Sequence, residues 1–141
     1  MPNNKLNQWS LTLLRVVLGF IFAYHGYAKL IVPGGFMGTI NFFTSVGIVA
    51  PKISALIVAV AEFLGGIFLL FGLITRWTTL ALIFEMLVAF FIVHMKNGFF
   101  ILSQAYGYEY ILLILPALVI ILVNGAGRIS LGKLFKNKWL H

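Results

Sequence analysis

A chain of 141 residues has the length of one domain, yet 62% of its residues are hydrophobic and only 9% charged, where soluble domains carry roughly 25% charged residues. Such a chain cannot cover a surface in water, so the expected solvent is a lipid bilayer; the absence of cysteine excludes disulfides, thiolate metal sites and thiol redox catalysis. The net charge of +7 comes from scattered Lys and Arg, mostly near the ends of apolar segments, a pattern of membrane orientation and headgroup contact rather than nucleic-acid binding.

A spanning helix needs about 20 mostly apolar residues. The first candidate runs from about Trp9 to Ile31. It is about twice as long as a typical ~7–15-residue signal core and carries Arg15, His25 and Lys29, so it is expected to be a retained span. The connection after it, "VPGGFMGTINFFTSVGIVAPK", has apolar residues at Phe36, Met37, Ile40, Phe43 and Val46. It predicts a short amphipathic helix that lies at the interface or re-enters from it. The second span covers about 53–74 and the third about 77–95. Only "TR" separates Ile74 from Trp77, so these two form a tight antiparallel hairpin. "KNGFFILSQAYG" is largely apolar and is expected to cap the bundle. The fourth span, about 108–123, is short and has an alternative start near Ser103. Pro116 should kink it, because proline removes a backbone donor. Residues 124–141 form a basic interfacial tail.

The expected fold is all-α: a single-domain, polytopic four-transmembrane-helix bundle of residues 1–141. Four spans place both termini on one side, with Lys5, Arg15, Arg76, Arg128, Lys133, Lys136 and Lys138; the opposite side carries Lys29, Lys52 and Lys96. The positive-inside rule then predicts cytoplasmic termini and a multi-pass protein of the cell (inner) membrane.

All three acidic residues, Glu62, Glu85 and Glu109, fall within or at the edge of spans. Ionisable groups at that depth cost at least a few kcal/mol each and usually face a partner or a cavity. On an ideal helix Arg15, His25 and Lys29 fall within an arc of about 80°, and His25 and Lys29 are one turn apart. Gly19, Ala23 and Gly26 lie near that face, and small residues let another helix approach. Glu62 lies about 13 Å into its span and shares a face with Ala55, Ala59 and Gly66. His94 and Asn97 end the third span, and Glu109 opens the fourth at the same level. His25, Lys29, Glu62, His94, Asn97 and Glu109 are therefore candidates to converge in the outer half of the bundle. Blander readings stand beside this one: Lys29 snorkelling to headgroups, interfacial histidines, Glu109 favoured by a helix dipole, a purely structural ion pair, and tyrosines forming an interfacial belt. Glu85 fails the same test, since it is nine residues from His94 and thus on the opposite face of an ideal helix. Its expected roles are pairing with Arg15 or a place at a subunit interface.

The stretches "LLRVVLGFIFAYHGYAKL", "AEFLGGIFLLFGLITR", "VHMKNGFF", "GYEY" and "GAGRISL", in this order and spacing, resemble the DoxX family of small four-helix integral membrane proteins. The resemblance covers about Leu11 to Leu131. It implies that Arg15, His25, Lys29, Glu62, Arg76, His94, Asn97 and Glu109 are recurrent polar positions, and that Glu85 is not. "GAGR" departs from the more usual "GPGR", which implies only a less stiff exit turn. The family takes its name from a subunit linked to quinol oxidation or thiosulfate–quinone oxidoreduction, and other members are associated with oxidative-stress defence.

Four functions arise as expectations. In the first, the chain is a quinone-linked oxidoreductase component. His25 or His94 donates to a quinone carbonyl, Glu62 and Glu109 relay protons, and Lys29, Asn97 and Arg15 bind the ligand. No haem, flavin or dinucleotide motif is present, so electrons would come from a soluble or membrane redox partner or a small substrate. The second is a small-solute or proton transporter, in which four spans would call for a homo-oligomer. The third is a scaffold that anchors soluble enzymes through its basic tail. The fourth, a metal site, has ligands in kind but no tight ligand spacing, and none is expected.

Overall fold

A computed structural model describes residues 5–100 and 107–134. Five α-helices account for most of it: α1 (Lys5–Leu30), α2 (Gly35–Ser45), α3 (Pro51–Phe71), α4 (Thr75–Ala89) and α5 (Glu109–Asn124). One π-helical turn, Phe90–His94, and a 3₁₀ turn, Met95–Asn97, extend α4, and a second 3₁₀ turn covers Leu131–Leu134. Lys5–Leu30, Pro51–Phe71 and Thr75–Asn97 are each long and apolar enough to cross a membrane. Helix α5 has 16 residues, about 24 Å at 1.5 Å per residue, and falls short of a ~30 Å hydrocarbon core. The all-helical bundle of four apolar helices with a short helix between the first and second is the architecture the hydrophobic runs predict.

Local chemistry sets the boundaries. Pro51 opens α3 in its first turn, where its missing N–H costs nothing. Gly72, at φ 68°, closes it, with its N–H on the Leu69 carbonyl (3.1 Å) and that of Leu73 on Phe68 (2.8 Å). The chain re-enters a helix at Thr75, so α3 and α4 form the expected tight hairpin. Helix α5 continues through Pro116 without a break in its assignment. It is preceded by a short backbone pairing, Tyr108 N–H to Gly98 O (3.1 Å) and Glu109 N–H to Phe99 O (3.0 Å). The alternative start near Ser103, the middle of the capping connection and the tail beyond Leu134 lie outside the described residues.

Small residues bring α1 and α3 together. A Cβ on Gly66 would lie 2.1 Å from Ala23 N, and one on Gly26 would lie 2.2 Å from Phe63 N. The two backbones therefore touch along the seam that Gly19, Ala23 and Gly26 predict. Leu18, Phe22, Leu69, Leu82, Ile114, Leu118 and Ile121 form one core where α1, α3, α4 and α5 meet. Large apolar side chains such as Leu13, Phe84 and Leu113 point outward, as they do where lipid replaces water as solvent.

The end of the bundle that carries the termini is closed by Arg15. Its side chain is 1% exposed. Nε donates to Ala126 O (2.9 Å), Nη2 to Ile129 O (2.6 Å), and Nη1 to Leu70 O (3.0 Å) and to Leu69 O. The last two carbonyls belong to the final turn of α3, where helix carbonyls run short of intrahelical donors, and Leu69 O accepts the Gly72 N–H as well. One guanidinium thus completes α3 and ties the "GAGRI" segment to it. Thr12 adds an acceptor for the Arg128 N–H (2.8 Å), Ser130 Oγ donates to Gly72 O (2.8 Å), and the Arg128 guanidinium stacks over Trp9. Gly127 sits at φ 82°, where a Cβ would meet Thr12 at 2.6 Å. Glycine is required there twice over, by conformation and by space.

Candidate functional site

The opposite half of the bundle is not solid. A cavity of about 1100 Å³ lies between α1, α2, α3, α4 and the start of α5. Its walls are mostly apolar: Phe22 and Ile21 from α1, Phe42 and Phe43 from α2, Val58 and Ala61 from α3, Met86 and Val88 from α4, Ile111 and Ile114 from α5. The polar side chains in its lining include His25, Lys29, Glu62, Glu85, His94 and Tyr110.

Helix geometry explains why these groups meet. His25 and Lys29 lie one turn apart on the flank of α1 beside the small-residue seam, where both line the cavity, His25 with its ring partly on the outer surface. Glu62 lies on the matching face of α3, flanked by fully buried Ala55 and Ala59. Lys29 Nζ donates to Glu62 Oε2 in an ion pair whose carboxylate end is 6% exposed and whose lysine end is 21% exposed. Lys29 is thus held by a carboxylate in the bundle rather than released to headgroups. His25 is within electrostatic reach of both partners. A short α2 packs over the mouth, bringing Gly35, Gly38 and Thr39 to the lining. The interfacial or re-entrant segment read from the sequence therefore serves as one wall of the cavity.

Glu85 departs from expectation. It pairs with neither Arg15, which is occupied by four carbonyls at the other end, nor a surface. Instead it lines the cavity and interacts directly with Glu62. The π turn at Phe90–His94 is the physical reason. A π turn takes up an extra residue and rotates the succeeding residues back by roughly 100°, so residues 85 and 94 end about 80° apart instead of opposed. Both then face the same space. One Glu85 oxygen, Oε2, is buried without a hydrogen-bond partner among the described residues. Sequence reasoning on an ideal helix could not include Glu85; the only signal was that an acid so deep in a span needs a reason.

Other candidates lie elsewhere. Arg15 belongs to the terminal lock described above. Asn97 Nδ2 donates to the Val93 carbonyl (3.0 Å) within its own turn, and Glu109 occupies the first turn of α5. Neither is in the cavity lining. The Glu109 position is one the helix dipole favours. His94 Nδ1 is 3.2 Å from Gly107 O, which fixes the ring while leaving it at the cavity edge. The tyrosines divide: Tyr24 and Tyr27 face outward, Tyr108 packs edge-on against Phe90 and Phe99, and Tyr110 enters the cavity. Among the described residues no three His, Asp or Glu side chains are grouped so as to hold a metal ion.

This arrangement can hold an amphiphile. The walls suit an apolar body, and the floor offers an ammonium, a carboxylate, a second carboxyl and two imidazoles as donors, acceptors and proton carriers.

Comparison with known proteins agrees with the architecture. The DoxX family model matches residues 10–95. The chain is 36% identical over 96 residues to "Putative oxidoreductase CatD" of Bacillus subtilis, covering 68% of each chain. It is 30% identical over 135 residues to an uncharacterized protein of Haemophilus influenzae, covering 95% of this chain and 96% of that one. To "Inner membrane protein YqjF" of Escherichia coli it is 26% identical over 135 residues, covering 96% and 98%. No solved structure matches the chain. The bilayer-spanning helices, the conjunction of polar positions and the matched model lead to one conclusion: this chain is a membrane protein that belongs to the DoxX family.

Proposed function

We propose that the cavity binds the ring of a quinone and exchanges protons with it, as the membrane component of an oxidoreductase system. The observation that carries this reading is the cavity itself: a predominantly apolar chamber within the bilayer-spanning part of the bundle, floored by the Lys29–Glu62 pair, His25 and Glu85. Its volume, about 1100 Å³, is at the upper end of ordinary small-ligand sites. The name of the Bacillus subtilis relative, an oxidoreductase, points the same way.

A bound quinone would accept two electrons from a redox partner or small reductant and two protons from its surroundings. The rest is the work of this chain. Lys29 and His25 supply N–H donors to a ring carbonyl. Glu62, held by Lys29, orients that ammonium and offers a carboxylate that can take or give a proton. Glu85 adds a second carboxyl beside it. Two carboxyls and one ammonium are electrically balanced when one carboxyl retains its proton, so the pair holds a transferable proton at no net charge in a medium that penalises charge. His94 and Tyr110 stand at the edge as further carriers, and Phe22, Phe42 and Phe43 flank the ring and exclude water. Glu109 and Asn97 have no part in this version of the site.

Quinone titration of the purified protein in nanodiscs, read by tryptophan quenching or calorimetry, tests the reading. Saturable binding that Glu62→Gln weakens at least tenfold, with folding retained, is the expected result. A protein that retains no quinone on purification and binds none saturably would remove the reading.

A further inference from the structure

The cavity has an opening whose position says what kind of molecule enters. Helices α3 and α4 meet near their hairpin, where Gly65 faces Thr78 and Leu82 at ordinary contact distance. Farther from the hairpin the lining passes to Ala61 and Ile57 on α3 and to Ala81, Phe84 and Val88 on α4. Three of these also lie on the outer surface of the bundle: Ile57 is 62% exposed, Phe84 70% and Val88 37%. Phe84 and Glu85 lie about 15 Å from the start of the spanning segment Thr75–Asn97, near its middle. This edge of the rim, between α3 and α4, therefore faces acyl chains, while the edge under α2 is marked by exposed His25 and Gly38.

A second, shallower groove runs along the lipid face of α4. Trp77, Leu80, Ile83 and Leu87 line it together with Ala81 and Phe84. Ala81 and Phe84 line the cavity as well. The two hollows thus abut at these two side chains. From Phe84 to Trp77 the groove follows α4 for about 10 Å.

We infer that the ligand enters sideways from the bilayer between α3 and α4, seats its polar head at Glu62 and Glu85, and lays an apolar chain over Ala81 and Phe84 along α4. The substrate class is a membrane-dissolved ring compound with an isoprenoid-like tail, not a tail-less or water-borne one. This rests on the quinone reading for the identity of the head; the sideways entrance and tail path do not depend on it.

Two probes decide it: a dimethoxybenzoquinone carrying two isoprene units, and the same ring with methyl in their place. Each is titrated against the native chain and a Leu80→Trp variant in nanodiscs, at equal mole fractions in the bilayer. Leu80 lines the hollow on α4 but not the cavity and is 47% exposed, so the indole is accommodated by lipid while it fills the tail path. The tailed probe is expected to bind the native chain at least tenfold tighter than the tail-less one. Leu80→Trp should abolish that advantage and leave the tail-less probe unchanged. Equal affinity of the two probes for the native chain, or equal loss of both in Leu80→Trp, overturns the tail path while the quinone reading stands. Should neither probe bind, the quinone reading falls and the entrance is decided directly. The chain has no cysteine, so a nitroxide on Ala61→Cys reports from the cavity wall alone. Faster relaxation by oxygen than by a water-soluble nickel chelate supports a lipid-facing entrance, and the reverse order overturns it.

Discussion

The same two helices, α1 and α3, bury charge at two levels, and the outcomes are opposite. At the terminal end every guanidinium nitrogen of Arg15 is engaged: four carbonyls from α3 and the segment after α5 take four of its five N–H groups, and it is 1% exposed. Some 20 Å along α1, Lys29 meets a carboxylate at the edge of a cavity, and one oxygen of the neighbouring Glu85 has no hydrogen-bond partner among the described residues. A buried charge whose polar atoms are all engaged is part of the scaffold. One left with capacity to spare, beside empty space, is available to a ligand. Burial alone does not separate the two cases, since Arg15 and Glu62 are both almost fully covered.

Arg15→Met gives the largest expected effect. It removes a donor from four carbonyls, of which Leu69 O keeps the Gly72 N–H, and each buried acceptor left unpaired costs about 1–3 kcal/mol. Thermal unfolding in detergent should show a protein that barely folds, and Arg15→Lys should recover little, because one ammonium cannot span both segments. A stable Arg15→Met protein that had lost only ligand binding would erase the contrast.

Glu62→Gln should act the other way round. Stranding Lys29 costs about 2–3 kcal/mol, below the figure for a sealed pair because the lysine end remains partly open. Ligand binding should fall much further than stability does. Combining Lys29→Met with Glu62→Gln is expected to restore the melting temperature but not the binding, a separation that a purely structural ion pair would not produce.

Gly66→Ala tests what the two regions share. Its added methyl would collide with Ala23 backbone, and overpacking of this kind costs about 1–3 kcal/mol. Because the seam carries both the lock and the pair, melting temperature and binding should decline together. The smallest effect belongs to Thr12→Val, which removes one of two acceptors of the Arg128 N–H, Gln8 O being the other, at about 1 kcal/mol. Its binding curve should overlay that of the native chain; any shift would mean that the two ends are coupled.

Much of the site was legible before the fold was known. His25, Lys29, Glu62 and His94 stand out because ionisable groups are rare in apolar runs, and 100° per residue was enough to put the first two on one face. Asn97 and Glu109 were drawn in by level alone. Level along a span says how deep a group lies, not which way it turns, and both lie outside the cavity lining. Glu85 was set aside for the converse reason. Its direction relative to His94 holds only on a regular helix, and a single π turn between them changed the answer.

What the amino-acid sequence decides by itself is the solvent, the helices and their hairpin, and which residues must find company in oil. These come from segment length against bilayer thickness and from the cost of leaving charge among acyl chains. Tertiary structure decides which company each one keeps. Arg15 meets carbonyls 54 and 114 residues away in the chain, and Lys29 a carboxylate 33 residues away. No local pattern encodes such partners, because backbone carbonyls are the same at every residue and a rotation within one turn redirects a side chain from lipid to cavity.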